Sequence, residues 1–165
     1  MRKQCNIVIL CGANPCKGPG IMALNIFEEF SKDGHIVKII SNQHFESTIK
    51  EIISIGKIEK FFIRFKPSLV FNKLMKMIYH RRKHSKYSMF SLDFQKKNLY
   101  ANYILRNIHE PPDVFILVFS HFFVSVSDLK KIYNKTKAPI LFWLADSAAF
   151  TGGCHFTWDC KGYMN

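Results

Sequence analysis

Long apolar runs are missing from this sequence, which removes membrane-spanning functions first. The longest stretches, Ile7 to Cys11 and Val114 to Phe119, fall far short of the roughly 20 residues that a helix needs to cross a bilayer. No secretion signal is expected either. Met1-Arg-Lys3 begins like a basic leader, but the apolar segment after Asn6 runs directly into Gly12-Ala-Asn-Pro15, leaving no small-residue cleavage site. The chain is therefore expected to be cytoplasmic. Cysteine is sparse and odd in number: Cys5, Cys11, Cys16, Cys154 and Cys160 suit reduced thiols better than a disulfide framework, because Cys5 and Cys11 fall on a predicted buried strand. Acidic residues are few. Against 24 Lys+Arg there are 12 Asp+Glu, a net charge of +12, which favours phosphate-bearing ligands, acidic lipid headgroups or nucleic acid without choosing among them. Neither a repeat of solenoid period nor a low-complexity segment is present. Apolar side chains, by contrast, are plentiful. They make up 48% of the residues, with 16 Phe among them, so a packed interior or an apolar contact surface is expected rather than intrinsic disorder. A chain of 165 residues has room for one such domain.

Asn6-Ile-Val-Ile-Leu-Cys11 is a continuous apolar run of the kind that becomes a buried parallel strand. A turn-rich loop, Gly12 to Gly20, follows it. From Ile21 the apolar positions Ile21, Leu24, Ile26, Phe27 and Phe30 recur at helical spacing, and Lys32-Asp33-Gly34 supplies a stop with glycine at the left-handed position. His35 to Ile40 then predicts a second strand and completes a β-α-β unit. Residues 45–107 show helical periodicity without a clear strand: 46–55 reads as a short amphipathic helix, and Phe94 to Ile108 as a helix with Leu99, Tyr103, Ile104 and Ile108 on one face. After Pro111-Pro112, Val114 to Phe119 predicts another buried strand. A helix over Ser127 to Asn134 and a strand over Ile140 to Leu144 close a second β-α-β unit. The fold class implied is α/β, a single doubly wound domain with a parallel sheet.

Four groups of residues carry candidate chemistry. The loop between the first strand and helix, with Gly12, Lys17, Gly18 and Gly20, has the placement to hold a phosphate or a sugar hydroxyl on backbone N–H groups, or is an ordinary surface connection. It matches neither the dinucleotide fingerprint nor the P-loop. Asp146, just beyond the strand ending at Leu144, stands where open α/β sheets present their sites. It can act as a base, accept hydrogen bonds from substrate hydroxyls, or cap the backbone after the strand. Cys154, His155 and Cys160 lack both the spacing and the fourth ligand of a structural zinc site, so no metal is expected; adjacent Cys and His side chains on an extended chain also point apart, against a nucleophilic pair. Finally, residues 57–86 interleave ten Lys or Arg with Phe61, Phe62, Phe65, Leu69, Phe71, Leu74, Met75 and Met77, opposed by Glu59 alone. This tract reads either as a solvated basic face or as a peripheral contact with anionic membrane. A nucleic-acid-binding protein using this tract is a third-ranked reading; no nucleic-acid-binding motif accompanies it, and nucleic acid is not an expected partner.

Three stretches resemble the N-terminal half of a family 4 glycosyltransferase with the GT-B fold, a retaining nucleotide-sugar enzyme of bacterial polysaccharide and lipopolysaccharide synthesis. They are the opening strand, glycine loop and helix ending Phe30-Ser-Lys-Asp-Gly-His35; Pro112-Asp-Val-Phe-Ile-Leu117; and Lys137 to Tyr163, with its Trp143-Leu-Ala-Asp-Ser-Ala-Ala-Phe-Thr-Gly-Gly-Cys-His155 core. The resemblance implies a Rossmann-like lobe that binds a glycan or lipid-linked acceptor, while a second lobe holds the nucleotide-sugar; no cofactor is implied. It places Gly18 and Gly20 on the loop facing the donor phosphates and Asp146 on the acidic position of the family's His-Asp pair. Thr151, Gly152, Gly153 and His155 fall on the acceptor side. Ala145 stands where many members carry His, and Ser147-Ala148 where Met-Trp is frequent, so a catalytic imidazole does not carry over. In one subgroup the Cys pair is followed by a further Cys-x-x-Cys, which this sequence does not reach. Two such lobes need roughly 150–200 residues each, so this chain is expected to be a truncated form, poorly active alone, whose donor-binding lobe is absent or comes from a second polypeptide.

Overall fold

Residues 3–44, 47–56, 59, 100–119 and 123–144 are described by the structure, a computed structural model. The first apolar run forms β1 (Asn6–Cys11), with every position from Ile7 onward buried. That double-sided burial follows from its place at the centre of the sheet. Its neighbours are β2 (Ile36–Ser41) and β4 (Val114–Val118); β3 (Ile52–Ser54) lies outside β2 and β5 (Ile140–Trp143) outside β4, giving the order β3-β2-β1-β4-β5 with every pairing parallel. Two hydrophobic clusters lie on opposite faces. One joins Ile7, Ile9, Cys11, Ile39, Ile116 and Val118 to Ala23, Ile26 and Phe27 of α1 (Gly20–Lys32). The other joins Val8, Leu10, Phe115 and Leu117 to Ala101 and Ile104 of α2 (Ala101–Arg106) and to Leu129 and Ile132 of α3 (Val126–Thr136). Helices on both faces of a parallel sheet leave its strands no polar side, so β1 and β4 read as unbroken apolar runs. The architecture is α/β with a five-stranded parallel sheet, compatible with a Rossmann-like fold.

The helix ends are built as the sequence suggests, with one difference. At the end of α1, Gly34 takes a φ of 85°, its N–H donates to Ser31 O, and the His35 N–H donates to Phe30 O; this pair of bonds is the Schellman arrangement that a glycine at this position permits. His35 is then fixed structurally. Its Nδ1 accepts the Cys5 N–H at 3.1 Å and its ring stands edge-on to Phe30. The third helix, expected from Ser127, starts at Val126 because Ser125 caps it: the Ser125 hydroxyl accepts the Asp128 N–H while the Asp128 carboxylate accepts the Ser125 N–H, a reciprocal capping box.

Three expectations are corrected. The segment 46–55, read as a helix, contains β3, and its strand identity is enforced by pairing with β2: the Ile39 N–H donates to Glu51 O and the Ile55 N–H to Ser41 O. Apolar residues at 49, 52 and 53 fit a helix stripe and a short buried strand alike, and tertiary pairing decides. Ile21, counted among the apolar positions of α1, is exposed, whereas the neighbouring Gly20 is buried against the Asn14 carbonyl of the preceding loop. The strand ending near Leu144, an apolar run suited to a buried position, forms as a strand but borders the sheet among the described residues, with Leu141 to Leu144 exposed. Of the helix expected over 94–108, the described part is α2, which stops at Arg106 and keeps Ile104 buried, with Tyr103 and Ile108 against the core; Leu99 lies outside the described residues.

Candidate functional site

The connections leave β1 in opposite directions: β1 to β2 to β3 runs to one side, and β4 to β5 to the other. Such a reversal opens a crevice beyond the carboxyl ends of the two strands at the reversal, which in open α/β sheets is where ligands sit. Here those strands are β1 and β4, and the loops that meet there are Gly12 to Pro19 and the stretch after Val118. A main-chain bond joins them: the Gly12 N–H donates to Phe119 O at 2.8 Å. Phe119 makes that bond from a left-handed backbone, φ 54°, an uncommon conformation for a bulky residue that costs of order 1 kcal/mol or more.

The glycine loop is braced from below. Ala13 O accepts both the Ser41 hydroxyl at 2.9 Å and the Cys11 thiol at 3.3 Å. Burial pushes the Cys11 thiol up to about 11, so it stays protonated at neutral pH and is a donor, not a nucleophile. Asn14 folds the tip: its side-chain oxygen accepts the Cys16 N–H and its carbonyl accepts the Lys17 N–H. Gly20 has to be glycine here. A Cβ would collide with the Asn14 carbonyl, and that close approach lets the helix begin directly under the loop. Gly18, at φ 53°, takes the left-handed turn with open space around it.

This bonding limits what the loop can offer an anion. Inside the loop or to Phe119, the N–H groups of Gly12, Cys16, Lys17, Gly20 and Ile21 are all spent, and Pro15 and Pro19 have none. Among the described residues that leaves the N–H groups of Ala13, Asn14 and Gly18, of which only Gly18 is an exposed residue, beside the exposed Lys17. So few unspent N–H groups do not amount to a many-amide anion cradle. Of the four loop candidates, the structure thus brings Lys17 and Gly18 to the surface and gives Gly12 and Gly20 to the framework.

Asp146, Thr151, Gly152, Gly153, His155, Cys154 and Cys160 lie outside the described residues, as does the basic tract 57–86 apart from Glu59. Because β5 is parallel to β4, the chain leaves it at the same carboxyl edge as the glycine loop. Among the described residues no group of three or more His, Cys, Asp or Glu sits where it could share a metal ion, and no helix is long and apolar enough to cross a membrane.

Asp128 escaped the sequence reading. Fully buried, it accepts the Tyr100 and Ala101 N–H groups on Oδ1 (3.1 and 2.9 Å) and the Ser125 N–H and hydroxyl on Oδ2 (3.1 and 2.7 Å). One carboxylate thereby caps the start of two helices at the carboxyl edge. The signal was present in Ser125-Val-Ser-Asp128, a Ser-x-x-Asp start; the partnership with α2 has no local signature. No family model, curated protein or solved structure matches the chain.

Proposed function

We propose that this chain is the acceptor-side lobe of a glycosyltransferase of the kind its sequence resembles, the N-terminal half of a GT-B enzyme, passing a sugar from a nucleotide-sugar to a glycan or lipid-linked acceptor. The observation that supports this reading best is the reversal at β1 and β4, which gathers the glycine loop, the turn after β4 and the chain leaving β5 at one edge of the sheet. On this reading Lys17 and Gly18 meet the donor's phosphate across the crevice. Asp146 orients an acceptor hydroxyl by accepting its hydrogen, which raises electron density on the attacking oxygen. A second lobe, on the same or another polypeptide, holds the nucleotide-sugar, and the tract 57–86 keeps the acceptor lobe at the anionic cytoplasmic face of a membrane.

Glycan binding and sugar-nucleotide turnover by the 165-residue chain test this together. Expected are glycan binding that Asp146→Asn weakens and turnover that is slow or nil without a donor-holding lobe. Turnover near 10 s⁻¹, an ordinary enzyme rate, would overturn the division of labour, and no glycan binding at all would overturn the acceptor role. A second reading, a non-catalytic glycan- or membrane-binding module, is favoured by the inward bonding of the loop amides, which leaves few donors for a phosphate. It predicts binding to glycan or to anionic liposomes, the latter lost when the tract's Lys and Arg become Ser, and no turnover with any added lobe.

A further inference from the structure

Among the described residues, the sheet is open at β5 in three directions at once. Leu141, Phe142, Trp143 and Leu144 are between 45% and 57% exposed, although a strand of a parallel sheet normally has both faces covered. Register with β4 sets Phe142 beside Leu117 on the α3 face, and Leu141 and Trp143 beside Ile116 and Val118 on the α1 face. The ladder begins with the Phe115 N–H donating to Pro139 O at 2.9 Å, and parallel geometry then turns the N–H groups of Leu141 and Trp143 toward β4 and that of Phe142 outward. Among the described residues no strand lies beyond it. Lys130, Lys135 and Lys137 stand exposed on the crossover helix and its cap, next to the half-buried Lys131. The only carboxylate of that helix, Asp128, is turned inward.

We infer that the border of β5 is a docking site for an acidic partner polypeptide, which adds a strand that is apolar on both faces and flanked by carboxylates. Three observations select this occupant. A lipid surface is flat, whereas the apolar side chains of β5 point to opposite faces, and an unpaired strand edge pressed into hydrocarbon would strand its N–H and C=O groups. A second copy would bring lysines against lysines at a net charge of +12 each. An added strand satisfies the outward N–H of Phe142 and covers both faces, and acidic flanks complement α3. The inference does not depend on the glycosyl-transfer reading.

Amide exchange of the full chain tests it, followed at the Phe142 N–H by NMR. In the chain alone this proton should exchange fast; slow exchange would mean that the border is already covered by the chain itself or by a second copy, and would overturn the proposal. The probe is a peptide of β4 sequence, Val-Phe-Ile-Leu-Val, with two Asp at each end. It should slow exchange about tenfold or more, whereas the same peptide with Lys ends should not, and Lys130→Ser with Lys135→Ser should narrow that difference. Binding of the dye-labelled acidic peptide, read by anisotropy, should be lost in Phe142→Pro, which lacks the outward N–H. Should that variant unfold, Trp143→Lys keeps the ladder, sets a cation on one apolar face and should weaken binding likewise. Absence of protection by the acidic peptide, or equal protection by phosphatidylserine vesicles, would overturn the proposal.

Discussion

Cys11 ties the chemistry of one side chain to the stability of the whole domain. Its thiol, raised by burial from the ordinary 9.0 to about 11, holds its proton more tightly folded than unfolded. Its contribution is therefore complete below pH 9 and is lost as pH rises toward 11. Tyr103, pushed up to about 12, first by burial and then by the charge of Glu59, continues the loss above pH 10. The urea midpoint should accordingly stay level from pH 7 to 8.5 and fall above 9, with Cys11 accounting for a loss of order 2 kcal/mol; Cys11→Ala should flatten the first part of the fall and Tyr103→Phe the second. Gly20 supplies a second residue-scale prediction. Gly20→Ala forces the Asn14 carbonyl and the start of α1 apart and should cost roughly 1–3 kcal/mol by overpacking, readable as a lowered thermal midpoint. Gly18→Ala meets no neighbour and pays only the left-handed backbone, about 1 kcal/mol. Sequence alone marks both glycines as loop formers; which one is held by space and which by backbone angle depends on Asn14 folding back, and that is set by its own bonds to residues 16 and 17.

Elements were legible in proportion to how much of their identity is local. Long apolar runs announce β1, β2 and β4, and a glycine stop announces the end of α1, because each signal lies within the segment it describes. A three-residue strand such as β3 carries no period of its own; it exists because β2 offers it bonds. For β5 the sequence specifies extended structure but not position, since a border strand differs from a central one only in its neighbours. The glycine loop was legible as a candidate site, yet the spending of its amides on Asn14, Lys17, Gly18 and Phe119 was not, because one of those partners lies a hundred residues away. The same holds for Asp128, whose box with Ser125 is local and whose grip on Tyr100 and Ala101 is not. Asp128→Ala should destabilise the fold by about 2–4 kcal/mol, since it leaves buried N–H groups without acceptors and removes a cap. Asp128→Asn, which keeps an oxygen for α2 but presents an amide N–H₂ to Ser125, should lose less. Chemical denaturation of the two variants measures the ordering.

Over the whole molecule, two opposed clusters and one sheet account for the described residues, and a long stretch of chain, 57–99, separates β3 from α2. The Tyr103 hydroxyl donates to Ser54 O at 3.4 Å, and Ile55 and Tyr100 belong to one cluster. Departure and return therefore lie about one tyrosine's reach apart. Closing so small a gap with a few glycines carries little entropic penalty. Excising 57–99 across a short Gly-Ser bridge should leave the near-ultraviolet circular dichroism of the sheet domain intact, whereas loss of cooperative unfolding would show that the excised stretch helps to hold the core. Grafted between equally close points on an unrelated host, residues 57–99 would bring their twelve Lys and Arg side chains with them.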